Sequence, residues 1–107
     1  QRQARSGLAA QVRDYLLKKP GHMPDMAATA QALGHSLRTL HRRLNDESTS
    51  FRALTEEVRE ALAEEFLQNS HLSLTEIADR LGYAEASSFI HAFKRWKGHA
   101  PRAYGKN

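Results

Sequence analysis

Apolar residues return every three to four positions through most of this chain, in runs broken by Gly, Pro and small polar residues. That period belongs to amphipathic helices and predicts an all-α fold of about seven of them. The clearest stretch is Ser73 to Pro101. Ser73 and Glu76 have the spacing of a capping box, and Leu72 with Ile77 that of a hydrophobic staple. Ile77, Ala78 and Leu81 then share one face, and Gly82 stops the helix because it enters the left-handed conformation without a Cβ penalty. A second helix follows, with Phe89, Phe93 and Trp96 at i, i+4 and i+7. Its other face carries Ser87, Ser88, His91, Lys94 and Arg95.

The same pattern occurs earlier. Asp25 is a good N-cap, Met26, Ala30 and Leu33 form an inward side, and Gly34 ends the helix. Ser36 caps the next one, with Leu37, Leu40 and Leu44 inward and Arg38, His41, Arg42 and Arg43 outward. Asp25, Ala30, Leu33 and Gly34 recur 48 residues on as Ser73, Ala78, Leu81 and Gly82, while Leu40 and Leu44 recur 49 on as Phe89 and Phe93. The second turn is therefore one residue longer. Two short helices joined by a Gly-containing turn, with a polar and basic second helix, describe a helix-turn-helix, and a repeated unit is a stronger signal than either copy alone. In that motif the second helix enters the DNA major groove.

A lead helix over about Gly7–Lys19 has Leu8, Val12, Tyr15 and Leu16 on one face, and Pro20-Gly21 stops it. Between the two copies, Phe51, Leu54, Val58, Ala61, Leu62 and Phe66 make a further apolar stripe free of Gly and Pro. A helix of about 18 residues spans ~27 Å, against the ~34 Å that separates adjacent major grooves on one face of DNA. The organisation read from these runs is a tail at 1–6, a first helix-turn-helix unit with its lead helix at 7–49, a linker helix at 50–70 and a second unit at 71–107.

Composition narrows the function. The 107 residues, 40% hydrophobic, suffice for one small domain or two very small ones. Cysteine is absent, which excludes a disulfide framework and thiolate chemistry and fits a reducing, cytoplasmic setting. No apolar run approaches the ~18 residues of a membrane span, and QRQARSGL lacks a signal-peptide core. The non-Met start favours a fragment of a longer chain. Net charge is +4 and the pI about 9.8. Residues 1–50 hold eight Lys and Arg against four Asp and Glu, whereas residues 51–107 hold eight of each. In that second part Glu56, Glu57, Glu60, Glu64 and Glu65 come early, and Lys94, Arg95, Lys97, Arg102 and Lys106 come late. Such segregation is the footprint of a nucleic-acid binder. The glutamates read as a solvated helix face, with RNA polymerase or a regulatory domain as the candidate partner if they bind one. The six histidines include no i, i+4 pair, so no metal site is expected. Neither a nucleophile elbow nor a Gly-rich phosphate loop is present, so no enzyme activity and no cofactor are expected.

Ser36-x-Arg38-Thr39-Leu40-x-Arg42-Arg43-Leu44, then Glu76-Ile77-Ala78 with Leu81-Gly82-Tyr83, then Ser88-Phe89-x-x-Ala92-Phe93-Lys94-Arg95-Trp96, Gly98, Pro101 and Tyr104 carry a resemblance. With these residues the chain resembles the DNA-binding domain of the AraC/XylS family of transcription regulators over about residues 8–104. The resemblance implies duplex promoter DNA as partner, read by the second helix of each unit. Carried over, the first recognition helix spans about Ser36–Asp46, with Ser36, Arg38, His41 and Arg42 at bases. The second spans about Glu85–Lys97, with Ala86, Ser87, Ser88 and His91 at bases. Thr39, Arg43, Lys94 and Arg95 fall to phosphate. The chemistry suits these roles, since Arg can grip guanine O6 and N7 together and Ser or His can donate to base edges. The resemblance also implies a further N-terminal domain for effector binding or dimerisation. Three departures stand out. His91 stands where the family commonly has Arg, so readout there should be weaker or pH-sensitive, as imidazoles titrate near neutrality. Gly105 replaces a usual Arg. Ser48 replaces a usual Gly at the end of the first recognition helix, which costs ~1 kcal/mol if Ser48 is left-handed.

Leu40, Leu44, Phe89, Phe93, Trp96 and Tyr83 read as packing residues rather than base-stacking platforms. Two other functions stay open at this point: an architectural DNA binder with little sequence preference, and a helical module that binds a protein through the acidic linker face.

Overall fold

The structure, a computed structural model, describes residues 7–18 and 23–101. Six helices lie there: α1 (Leu8–Leu17), α2 (Met26–Ala32), α3 (Leu37–Asp46), α4 (Phe51–Asn69), α5 (Leu74–Leu81) and α6 (Ala86–Lys97). The chain divides into two compact units between Val58 and Arg59, inside α4. The Pro20-Gly21 stop, the tail at 1–6, and Tyr104 and Gly105 fall outside the described residues.

In the first unit α1, α2 and α3 pack against one another. Leu8, Val12, Leu16, Leu40 and Leu44 are fully buried, joined by Ala30 from α2 and by Leu54 and Val58 from the start of α4. Local side chains set the helix starts. Asp25 Oδ1 accepts from Ala28 N at 2.8 Å, Ser36 Oγ from Thr39 N at 3.0 Å, and Ser50 Oγ from Ala53 N at 3.0 Å. Each satisfies an amide that the helix itself leaves without a partner.

The second unit is built around Ala63, Ile77, Ala78, Leu81, Phe89 and Phe93, with Leu62, Phe66, Leu72, Tyr83 and Trp96 packed on them. The capping box is complete. Ser73 Oγ accepts from Glu76 N at 3.1 Å, and Ser73 N donates to Glu76 Oε1 at 2.8 Å. The backbone and hydroxyl of Ser73 hold the Glu76 carboxyl below its ordinary pKa. Leu72 and Ile77, the staple pair, both join the apolar cluster.

The two turns follow one design. Gly34 and Gly82 have φ of 78° and 95°, the left-handed region that side chains with a Cβ avoid. The amide after each reaches back to the last turn, His35 N to Ala30 O and Tyr83 N to Ala78 O, both at 2.9 Å. These are Schellman closures. From the left-handed glycine to the next N-cap is two residues in the first turn (Gly34 to Ser36) and three in the second (Gly82 to Glu85), so the longer second turn is real.

Two inward assignments need correction. Leu37 is 50% exposed. It is the first residue of α3, and a helical side chain covers the turn N-terminal to its own Cα, so at this position there is no preceding turn for it to cover. On α4, Ala61 is exposed and Ala63 is fully buried, because the inward positions step around the helix from the buried Leu54, Thr55 and Val58 to the buried Ala63 and the half-buried Phe66 and Leu67. Thr29 and Thr55 are buried although polar. Their hydroxyls donate to carbonyls four residues back, Asp25 O at 2.9 Å and Phe51 O at 2.7 Å, which removes the cost of burying them.

Candidate nucleic-acid interface

On α3, Leu40 and Leu44 are buried while Arg38, His41, Arg42 and Arg43 are exposed and Thr39 is half-buried. Arg38, His41 and Arg42 stand at i, i+3 and i+4, which places them side by side on the outward face. The Ser36 hydroxyl is committed to the cap: it accepts from Thr39 N and donates to Thr39 Oγ1 at 3.0 Å. On α6, Phe89, Ala92 and Phe93 are buried. Ser87, Ser88, His91, Lys94 and Arg95 are exposed, and Ala86 is half-buried. Ser87, His91 and Lys94 fall on the line opposite the buried side, and the Ser87 hydroxyl donates to Glu85 Oε1 at 3.2 Å. Arg38, His41 and Arg42 therefore share one outward face in the first unit, and Ser87, His91 and Lys94 share one in the second.

Aromatic rings serve the core beneath α6. Phe89 and Phe93 meet edge to face with centroids 6.0 Å apart, Phe93 and Trp96 at 6.3 Å, and Tyr83 lies 6.1 Å from Phe89. Among the described residues no group of three or more His, Asp or Glu is placed to hold a metal ion, and no helix is long and apolar enough to cross a membrane.

Each recognition helix is held at its C-terminal end by a charge that the hydrophobic pattern does not reveal. Glu47, the C-cap of α3, accepts from the amides of Leu8 at 2.8 Å and Ala9 at 3.0 Å. Gly7, the N-cap of α1, supplies no side-chain cap, so the Glu47 carboxylate, 39 residues beyond Leu8, does so. A Cβ at Gly7 would stand 2.9 Å from Glu47 Oε1, so the carboxylate occupies the space that glycine leaves. At the end of α6, Lys97 Nζ lies 3.1 Å from Glu60 and also pairs with Glu64, both on α4. Arg59 donates from Nε to Leu81 O at 2.8 Å and lies 4.8 Å from the Tyr83 ring centre, which secures the turn ahead of α6. In the first unit Arg13 pairs with Glu57 at 2.7 Å. Glu57, Glu60 and Glu64 thus belong to ion pairs, while Glu57 and Glu65 stay exposed to solvent. Lys97 leaves the basic cluster in the same way.

Known proteins repeat this arrangement. The sequence profile of a helix-turn-helix domain matches residues 29–107. An uncharacterised HTH-type transcriptional regulator of Mycobacterium tuberculosis is 45% identical over 102 residues, 95% of this chain and 30% of that protein. The crystal structure of transcriptional regulator CdpR from Pseudomonas aeruginosa superposes with a TM-score of 0.84 at 36% identity, covering 95% of this chain and 32% of that one. The DNA-binding domain of AdpA, a global transcriptional factor crystallised with a target DNA, superposes with a TM-score of 0.72 at 27% identity, covering 92% and 90%. The chain thus spans under a third of the M. tuberculosis relative's length. From the match over residues 29–107 and the shared fold, the chain belongs to the AraC-type helix-turn-helix family of transcriptional regulators.

Proposed function

We propose that this domain binds promoter DNA sequence-specifically, with α3 and α6 in successive major grooves. The observation that carries the reading is the duplicated unit. In both copies a capped helix, a left-handed glycine and a second helix with a buried apolar face leave a polar face outward. On α3 that face offers Arg38, His41 and Arg42, donors suited to guanine N7 and O6. On α6 it offers Ser87, Ser88 and His91, with Ala86 at the helix start, while Thr39, Arg43, Lys94 and Arg95 are assigned to phosphate. Phosphate contacts fix register and base contacts supply the sequence preference. Crystallisation of the AdpA domain with a target DNA supports the same use here. Because the domain corresponds to less than a third of the M. tuberculosis regulator, we assign effector binding or dimerisation, and contact with RNA polymerase, to the regulator as a whole.

The test is selection of bound duplexes from a random pool, followed by salt titration on the winner and on a scrambled control. Two conserved half-sites about one helical turn apart are expected. A single short motif would leave only one unit reading bases. Binding without enrichment that vanishes in moderate salt would reduce the domain to a non-specific binder.

A further inference from the structure

Among the described residues two large apolar side chains are exposed, Leu17 at 45% and Leu37 at 50%. A lone exposed leucine is ordinary on a protein surface. What distinguishes Leu37 is its position. It opens α3, directly after the cap Ser36 and one turn before His41, and the N-terminal residues of a recognition helix are those that meet base edges. Leu37 and its neighbour Arg38 are both exposed there.

The repeat supplies an independent observation. The offset of 49 that relates Leu40 to Phe89 also relates Leu37 to Ala86, the first residue of α6, and His41 to Ile90. Ala86 and Ile90 are both half-buried. Each recognition helix therefore begins with an apolar side chain at the same structural position, followed by polar ones. An exposed apolar side chain at the base-facing end of a recognition helix fits an apolar spot on a base edge. In the DNA major groove that spot is the C5-methyl of thymine.

We propose that Leu37 is a specificity-determining residue that contacts the C5-methyl of one thymine in the half-site read by α3. The proposal rests on the DNA-binding reading and adds a base identity to it. The experiment uses the duplex selected by the domain, with each thymine replaced in turn by deoxyuridine, which deletes the methyl and keeps the pairing edge. Burial of one methyl corresponds to about a four-fold change in affinity. One replacement in the α3 half-site should weaken the wild-type domain by roughly that factor. Leu37→Ala should bind the thymine duplex more weakly and be indifferent to that replacement. Leu17→Ala, on α1, should respond as wild type. A thermal melt of Leu37→Ala close to wild type is expected, because the side chain is half exposed. Wild-type indifference to every deoxyuridine, or a Leu37→Ala variant as sensitive as wild type, overturns the proposal while leaving DNA binding intact. A pool that yields no preferred duplex overturns the DNA-binding reading and this proposal with it.

Discussion

Replacing Ser48 by glycine should stabilise the domain. Ser48 follows the C-cap of α3 with φ of 63°, and it is the non-glycine residue with positive φ among those described. Its amide donates to Asn45 O at 2.9 Å and the Thr49 amide to Leu44 O at 3.0 Å, the Schellman pattern that Gly34 and Gly82 complete at the ends of α2 and α5. The left-handed conformation costs an L-residue about 1–2 kcal/mol. Glycine avoids that cost but loses about 0.5–1 kcal/mol more backbone freedom on folding. The difference favours Ser48→Gly by about 0.5–1 kcal/mol, since Ser48 is exposed and its side chain gives up little packing. For a domain of this size the gain corresponds to a rise in Tm of roughly 2–8 °C. Calorimetry or a circular dichroism melt reads it. Gly34→Ser provides the mirror test, because a Cβ built at Gly34 (φ 78°) meets nothing within 4 Å and only the dihedral cost applies. It should lower Tm by a similar amount, and the double variant should return close to wild type. A Ser48→Gly protein that melts at or below the wild-type temperature, with Gly34→Ser destabilised as stated, would refute the strain assigned to Ser48.

Glu47→Ala should cost about 1–2 kcal/mol in denaturant unfolding, because the amides of Leu8 and Ala9 lose a charged acceptor; no loss would mean that water caps α1 equally well. Arg42→Ala should weaken the preferred duplex by ~1–3 kcal/mol relative to random DNA, and equal loss on both, read by fluorescence anisotropy, would move Arg42 to phosphate contact. Lys94→Ala should reduce the salt slope of binding by about one, whereas Lys97→Ala should leave it unchanged because Glu60 and Glu64 already hold that ammonium; equal slopes for both variants would contradict the division. The lowered carboxyl pKa of Glu76 means that its contribution to stability is complete above the ordinary carboxylate pKa and is lost as pH falls through the lower folded value. Glu76→Gln should therefore flatten the acid limb of the stability profile, and an unchanged limb would remove the capping box from acid sensitivity.

What could be read from the sequence was mostly local. The Asp25, Ser36 and Ser73 caps join atoms within four residues, and the glycine stops depend on one dihedral, so short motifs expose them. The outward faces of α3 and α6 were equally legible, because Leu40, Leu44, Phe89 and Phe93 fix the register of their own helices. The resemblance, rather than periodicity, divided those residues between bases and phosphate. Contacts between distant residues left no trace. Glu47 reaches Leu8 across 39 residues and Arg59 reaches Leu81 across 22, and no spacing rule connects either pair. Lys97 looked like one more member of a basic cluster until α4 brought Glu60 and Glu64 beside it. Leu37 satisfied the three-residue spacing to Leu40, but the end of a helix is where a periodic face stops guaranteeing burial.

The most direct test of two-helix recognition is the random-pool selection repeated with one variant on each outward face, Arg42→Ala on α3 and His91→Ala on α6. Wild type should return a two-part motif, Arg42→Ala should lose information in one half and His91→Ala in the other. Loss in the same half from both variants, or an unchanged motif from either, would contradict the assignment of one recognition helix to each half-site.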